Sequence, residues 1–322
     1  ENLDQLFDES GAPVKIEDSQ KSFLIQRAPI EIDLESKSTV YGTDGTLSIT
    51  GNVGNGGVAF SVADNSAATG KATITDNVIT PVQAGVVYVT VTVEKTQNYL
   101  GKTEDIAYTI ERLPVVLSWQ DPIPNFVYNG TMQAPSATVT NLVYGDAPFG
   151  VTVQGSIDAG VDLTASAIDV ENKNYTVVNG SNLDCKFVIA PRPIAVVWSE
   201  SELVYNGQEQ YPAATAGNVV TRVGANAPDV CTLVVSGAIP AGDSWIATVT
   251  GIADNANYTL EGARDLKKPF VIKPRPVILE WTQTVLPYNG KEQGPIATIL
   301  NLVPGDTCNL VFTGTGINVG NY

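Results

Sequence analysis

The sequence predicts an all-β fold built of tandem two-sheet modules, and three observations support this. Val, Thr, Ile and Ala are abundant, and 29 Gly and 19 Pro are spread over the 322 residues. β-Branched residues favour pleated strands, whereas frequent Gly and Pro favour turns. No long stretch shows the 3.6-residue period of an amphipathic helix. The third observation, an internal repeat, predicts the size of the modules.

Three copies of one motif set follow each other along the chain. Each copy contains a Tyr-Asn-Gly triplet, and the triplets at residues 128–130, 205–207 and 288–290 lie 77 and 83 residues apart. An apolar run that ends in tryptophan precedes each triplet, and a Gln-x-Pro-x-Ala-Thr stretch follows it. Spacing of this kind predicts one structural module for each motif set.

Two of these motifs predict particular structural roles. Asn-Gly is a strong signal for a hairpin turn because both residues tolerate positive φ, so we expect turns at Asn129, Gly130, Asn206, Gly207, Asn289 and Gly290. A large aromatic residue that recurs at the end of a strand is expected to fill the space between two sheets. We therefore predict interior plugs at Trp119, Trp198 and Trp281. A sugar-stacking surface is the alternative role for these tryptophans.

The motif set resembles the MBG-type bacterial immunoglobulin-like repeats, which also carry Asn-Tyr and a closing Phe-x-Ile-x-Pro segment. The resemblance covers residues 113–322, and residues 28–112 look like a related bacterial Ig-like subtype. It implies an all-β fold of tandem immunoglobulin-like β-sandwich modules in an elongated array. It also implies a surface protein or adhesin that is extracellular, either at the cell surface or secreted.

Five segments are expected along the chain. They are closing strands of a preceding module at 1–27, a bacterial Ig-like module at 28–112, MBG-type modules at 113–191 and 192–274, and an incomplete MBG-type module at 275–322. Prolines mark each boundary between these segments. Because proline restricts its own φ and the preceding residue, we expect joints that limit bending.

The two ends of the sequence match different parts of one module. Residues 21–29 align with residues 268–276, which include the closing segment of the module at 192–274, whereas the module at 275–322 stops at the counterpart of Trp245. The plain interpretation is a piece of a longer array. The alternative is strand complementation, in which residues 1–27 of one chain complete residues 275–322 of the next and build a head-to-tail filament.

Charge and composition exclude several classes of function. The net charge is −16 and the chain has no histidine. Such a surface offers no basic stripe for nucleic acid, and the commonest general base and metal ligand is missing. We expect no catalytic residue, no cofactor and no metal site. We also expect no direct membrane insertion, because no apolar run is long enough.

Cysteines and paired carboxylates have structural interpretations. Cys231 and Cys308 occupy matching positions in successive repeats, so we expect them to serve as buried apolar side chains. A carboxylate pair such as Glu200 and Glu202 does not recur between repeats and is expected to be solvated surface. The sequence therefore predicts a protein that is not an enzyme.

The expected function is a non-catalytic structural stalk or adhesin segment of a large bacterial surface protein. Its partners would be neighbouring modules of the same array, with head-to-tail self-association of filament subunits as the alternative. Binding of a host glycan or host protein is a further alternative, for which exposed loop aromatics such as Tyr144 and Tyr211 would serve. Accessory modules of a secreted enzyme are a third interpretation.

Overall fold

The computed structural model describes residues 6–7, 9–14 and 22–322, and their regular secondary structure is entirely β. The prediction of an all-β chain is therefore confirmed. A short antiparallel pair, β1 (Leu6–Phe7) and β2 (Pro13–Val14), precedes the repeats. Most of the closing strand predicted within residues 1–27 lies outside the described residues. The described part at residues 22–27 forms no strand.

The strands of the first repeat (residues 28–112) are short at first and long at the end. They are β3 (Asp33–Leu34), β4 (Ser38–Val40), β5 (Gly45–Thr46), β6 (Ile49–Thr50), β7 (Val58–Val62), β8 (Lys71–Thr75), β9 (Val78–Gln83), β10 (Gly85–Val93) and β11 (Lys102–Glu111). They form the sheets β4-β11-β10-β7, β5-β9-β8 and β3-β6.

The second repeat (residues 113–191) and the third repeat (residues 192–274) have strands at matching places. The second has β12 (Leu113–Trp119), β13 (Phe126–Val127), β14 (Ala137–Val139), β15 (Val151–Gln154), β16 (Gly160–Val170), β17 (Tyr175–Ser181) and β18 (Asp184–Ala190). The third has β19 (Arg192–Trp198), β20 (Glu202–Val204), β21 (Ala214–Ala216), β22 (Leu233–Ser236), β23 (Gly242–Ile252), β24 (Tyr258–Arg264) and β25 (Lys267–Lys273). The fourth repeat (residues 275–322) has β26 (Leu279–Thr282) and β27 (Ile296–Ile299).

The second and third repeats share one sheet topology. Each has a sheet of three strands, β14-β12-β17 or β21-β19-β24, in which the first strand of the repeat is central. Each also has a sheet of four strands, β13-β18-β16-β15 or β20-β25-β23-β22. In both, the closing strand is parallel to a short strand near the start of the repeat and antiparallel to the longest strand. The repeated sequence therefore produces a repeated strand order.

The chain divides into two compact units. The first comprises the described residues up to Ser118 together with 137–152 and 167–183. Its core is built on the alternation of β10 and β11, whose inward side chains are valine, isoleucine and tyrosine. Val115, Leu117 and Tyr175 of the second repeat belong to the same core. Hydrophobic packing therefore continues from the first repeat into the next.

The second unit comprises residues 119–136, 153–166 and 184–322. Its main core joins Phe187 and Ile189 of β18 with Ile194 and Val196 of β19. Val249 of the four-stranded sheet of the third repeat packs in this core too, so both sheets of that repeat line one interior. Burying each such side chain stabilises the fold by about 1.5–3 kcal/mol.

The three tryptophans predicted as interior plugs are not fully buried. Trp119 and Trp198 are partly buried and pack against the second core, and the Trp198 indole N–H donates to the Asp265 carbonyl at 2.7 Å. Trp281 is 50% exposed. The Trp198 indole therefore lies at the side of the interior, where the ring can pack and its N–H can still reach a backbone acceptor. The large aromatics that are fully buried are tyrosines: Tyr108, Tyr128 and Tyr175.

Candidate functional site at the joints between repeats

Each described junction between successive repeats contains a tyrosine from the earlier repeat bound to an aspartate of the later one. At the first joint, Tyr41 of the first repeat donates to both carboxylate oxygens of Asp146, at 3.0 and 3.1 Å. Tyr175 donates to the same carboxylate at 2.6 Å and accepts the backbone N–H of Val143 at 2.7 Å. The two tyrosine rings meet edge to face at 5.7 Å. One carboxylate thus receives hydroxyls from both repeats.

The second joint repeats this geometry with different residues. Tyr128 donates to Asp229 at 2.6 Å, and Tyr258 donates to the same oxygen at 2.9 Å. Tyr258 also accepts the Val220 backbone N–H at 2.9 Å. The rings of the two tyrosines meet edge to face at 5.5 Å. Because the same Tyr–Asp–Tyr arrangement occurs twice, we call it the tyrosine clasp.

The third joint contains half of a clasp. Tyr205 donates to Asp306 at 3.1 Å, but no second tyrosine of the described residues reaches this carboxylate. A cleft of about 490 Å³ lies beside the pair and is lined in part by Ala241 and Val303. Tyr205 has only this one tyrosine–aspartate contact at the joint, and it is only partly buried.

An asparagine next to each second tyrosine adds a side chain to backbone bond across the joint. Asn174 accepts the backbone N–H of Ala84 at 2.9 Å, and Asn257 accepts that of Ala159 at 2.8 Å. In each pair the asparagine belongs to the later repeat and the alanine to the earlier one. At the third joint the matching N–H, that of Ala241, has no acceptor among the described residues. The Asn-Tyr motif therefore supplies one set of the contacts by which a repeat binds its predecessor.

The second joint has an additional ion pair that comes from an insertion in the third repeat. Arg222 binds Asp158 through both guanidinium Nη atoms, at 2.6 and 2.9 Å. The guanidinium lowers the pKa of Asp158, against the opposing effect of its burial. The neighbouring Val223 N–H donates to the Gly130 carbonyl at 2.8 Å. Both side chains of the ion pair are near half exposed, so solvent screens it and it contributes little to stability.

The Tyr-Asn-Gly triplets have a different role from the predicted hairpin turns. Gly130, Gly207 and Gly290 have positive φ, whereas Asn129, Asn206 and Asn289 do not, so the turn is not of the two-residue hairpin type. Each asparagine instead accepts the backbone N–H two residues ahead. The strand before each triplet pairs in parallel with the closing strand of its repeat in the two repeats where that pairing is described. The triplet therefore carries the chain from one sheet to the other.

The glycine of the triplet also allows close approach of the next repeat. A Cβ at Gly207 would lie 2.4 Å from a methyl carbon of Val303, and one at Gly130 would lie 2.8 Å from the Thr221 carbonyl oxygen. No real Cβ tolerates such distances, so both the backbone angle and the space require glycine. The triplet is thus a joint motif as well as a turn.

Burial and the shared carboxylate raise the pKa of the clasp tyrosines. The main cause at Tyr175 and Tyr258 is burial, and each pKa rises to about 12. The pKa of Tyr128 is also raised, again mainly by burial and then by its bond to Asp229. At the half clasp, the pKa of Tyr205 is raised chiefly by its hydrogen bond to Asp306. These hydroxyls therefore remain protonated donors at neutral pH.

Other candidate reactive residues are dispersed. Cys231 packs against the second core and burial raises the pKa of its thiol, whereas Cys308 is exposed, so the buried apolar role predicted for both is wrong for Cys308. Glu202 forms an exposed ion pair with Lys273 at 2.6 Å. Within the described ranges, no group of three or more His, Cys, Asp or Glu side chains is placed to hold a metal ion.

Sequence reasoning missed the aspartates of the joints and one further residue of each repeat. Asn141, Asn218 and Asn301 each accept a backbone N–H and donate to the carbonyl of a proline near the start of their repeat. Each stands three residues after the Gln-x-Pro-x-Ala-Thr stretch, so its periodicity was visible in the sequence. Asp146 and Asp306 stand five residues after this asparagine, but Asp229 stands eleven residues after it. The insertion hid the correspondence of the aspartates.

No family model matches the chain, and no curated protein does. The part of the chain that the structure describes holds no helix that could cross a membrane.

Removing one asparagine of a joint should produce a small and local loss of stability. We expect Asn257→Ala to lower the free energy of unfolding of the second joint by about 1–3 kcal/mol, because the Ala159 N–H loses its acceptor. Hydrogen exchange of that amide measures the effect. Asn226→Ala, at an exposed position in the insertion, is the matched control and should leave it unchanged. Equal protection of the Ala159 amide in both variants would contradict the assignment of Asn257 as its acceptor.

Proposed function

We propose that this chain is a non-catalytic structural stalk or adhesin segment of a large bacterial surface protein. Its repeats are taken as immunoglobulin-like β-sandwich modules of the MBG type and a related bacterial subtype. They are arranged in an elongated extracellular array. Each module acts mainly on its neighbours, and the purpose of the array is to hold a distant domain away from the surface.

The observation that carries this proposal is the recurrence of the tyrosine clasp. Asp146 and Asp229 each receive tyrosine hydroxyls from two successive repeats. A flexible tether between independent domains would need neither buried tyrosines nor a shared acceptor at its joints. A stalk has to keep its two ends at a fixed separation, and fixed, hydrogen-bonded joints between its modules serve that purpose. The acidic composition, with a net charge of −16, suits a solvated surface that repels its own copies laterally.

Small-angle X-ray scattering tests the stalk directly. A globule of 322 residues has a radius of gyration of about 20 Å. The longest strands have 11 residues each, which at the usual rise gives modules about 36 Å long. An end-to-end array of the repeats would then be about 125 Å long and have a radius of gyration of about 36 Å. A measured value near that of the globule would rule out the stalk.

A double variant tests whether the clasps fix the joints or whether the repeats are only connected one after another. Asp146→Ala combined with Asp229→Ala removes the acceptors of both complete clasps, and we expect a lower and more heterogeneous radius of gyration. Asp243→Ala, which removes an exposed carboxylate outside the joints, is the matched control. An unchanged profile in the double variant would show that the clasps do not fix the joints.

A further inference from the structure

In each of the first three repeats, a short strand near the start pairs in parallel with the closing strand. The pairs are β4 with β11, β13 with β18 and β20 with β25. Parallel neighbours have their N-terminal ends on the same side. The chain therefore enters the short strand at one end of the pair and leaves the closing strand at the other end.

This topology determines how tension along the chain acts on the pair. Pulling the two ends of a repeat apart draws the short strand toward its N-terminal end and the closing strand toward its C-terminal end. The two strands then slide along each other, and because the bonds of a parallel pair are evenly spaced, they carry the tension together. Strands pulled apart from the same end lose their bonds one at a time. The resistance of the pair therefore depends on the direction of pulling.

A backbone hydrogen bond completes each pair at the end where the chain leaves the repeat, and we call it the closing bond. Its acceptor is the last residue of the closing strand. Its donor is the tyrosine of the triplet or the counterpart of that tyrosine in the first repeat. The closing bonds, at 2.8–2.9 Å, run from the Tyr41 N–H to Glu111, from the Tyr128 N–H to Ala190 and from the Tyr205 N–H to Lys273.

The tyrosine that makes the closing bond is also bound by the next repeat. The hydroxyl of Tyr41 donates to Asp146, and that of Tyr128 donates to Asp229. Both rings are buried. Moving the Tyr128 backbone away from the closing strand therefore disturbs the ring contact with Tyr258 and the bond to Asp229. One side chain connects the joint with the end of the parallel pair.

The parallel pairs differ in length. In the third repeat, three residues of β20 are in register with β25, and the Val271 N–H donates to the Ser201 carbonyl at the end opposite the closing bond. In the second repeat, only two residues of β13 are in register with β18. The closing bond is therefore a larger share of the contact in the second repeat.

We propose that the parallel pair is a clamp against tension and that the aspartate of the following repeat keeps its closing bond in place. A repeat then resists tension fully only while the next repeat is folded, because unfolding of the later repeat releases the tyrosine. Unfolding under tension accordingly spreads from a repeat to its predecessor. The tension is that on the proposed stalk, so this role of the clasp rests on the proposed function.

Single-molecule force spectroscopy on the full chain tests the direction of resistance. Azide-bearing residues at exposed positions serve as handles, at 200 and 275 for sliding or at 200 and 267 for peeling. Both arrangements pull on β20 and β25, from opposite ends of the pair or from the same end. We expect a rupture force about twofold higher for sliding, because the bonds at both ends of the pair share the tension. Equal rupture forces in the two directions would overturn the clamp.

Two matched substitutions test the role of the closing bond in the second repeat. Tyr128→Phe and Tyr258→Phe each remove one hydroxyl from Asp229, but only Tyr128 makes a closing bond. With handles at the exposed positions 123 and 191, Tyr128→Phe should make rupture at a fixed force about fivefold faster, the effect of losing one hydrogen bond. Tyr258→Phe should leave the rate unchanged. Equal rates in the two variants would refute the coupling of the closing bond to the next repeat.

The handles act within one repeat, so both measurements are independent of the shape of the whole chain. A compact scattering profile would exclude the stalk and leave the clamp intact. Equal forces for sliding and peeling would exclude the clamp and leave the stalk intact.

Discussion

Replacing Tyr128 by alanine should lower the free energy of unfolding of the second joint by about 3–5 kcal/mol, the range found for truncation of a buried aromatic ring. The ring is 0% exposed and lies in the core that joins the second and third repeats. Truncation removes the edge-to-face contact with Tyr258 and one hydroxyl bond to Asp229. A cavity then remains at the joint, because the surrounding strands can relax only in part.

Two further variants divide this loss between the ring and its hydroxyl. Tyr128→Phe keeps the ring and should cost about 1–2 kcal/mol, because Asp229 still receives the Tyr258 hydroxyl. Tyr144→Ala is the matched control, since that side chain is fully exposed and should contribute nothing. Unfolding of linked repeats is not a single two-state transition. Hydrogen exchange of amides in β18 and β23 is therefore the suitable measurement. A loss at Tyr128→Ala no larger than that of the control would refute the assignment.

Sequence patterns were sufficient to predict the strands and the repetition of their order. The alternation Phe187-Val188-Ile189 and its copy Phe270-Val271-Ile272 identify a strand with one buried face, and the structure has that strand in both places. The reason is local: a period of two in apolar residues determines which face of a strand is buried, whatever the strand pairs with. The regular structure of the chain was predictable to that extent.

The joints were not predictable, because their partners are distant and differ in spacing. The hydroxyl of Tyr128 reaches an aspartate 101 residues ahead, and that aspartate is displaced by an insertion relative to its counterparts. Sequence reasoning therefore assigned the interior aromatic role to the tryptophans, which recur at regular places. The hydroxyl of a buried tyrosine usually has a hydrogen-bond partner. The partner here belongs to the next repeat, so no single module reveals it.

The pattern of burial along the triplets follows from the same principle. Tyr128 has a complete clasp and is fully buried, whereas Tyr205 has half a clasp and is partly buried. Identical local sequence thus gives two environments. The later repeat, with its aspartate and its Asn-Tyr pair, determines how deeply the tyrosine of the earlier repeat is buried. The side chains of the second joint are therefore part of the hydrophobic core.

Stability should fall steeply as the pH rises from about 10 to 12, because the clasp tyrosines are held protonated. In the unfolded chain a tyrosine ionises near pH 10, whereas burial raises the pKa of Tyr175 and Tyr258 to about 12 in the fold. Below pH 10 both states carry the proton and the stabilisation is complete. Between the two values only the folded state retains the proton, so each tyrosine loses about 3 kcal/mol of stabilisation over this interval. The shift of the denaturation midpoint, monitored by circular dichroism at a series of pH values, measures the decline.

Tyr258→Phe isolates one tyrosine from the other groups that titrate in the same range. Lysines lose their proton in this pH range too, and the pKa of Lys102 is raised by its bonds to Glu31 and Glu104. That contribution is the same in the variant and in the unaltered chain, so it cancels in their difference. We expect the variant to be less stable at neutral pH but to lose less stability between pH 10 and 12. The control Tyr144→Phe alters an exposed tyrosine and should keep the full pH dependence. A Tyr258→Phe curve parallel to that of the unaltered chain would show that the clasp hydroxyl is not held protonated by the fold.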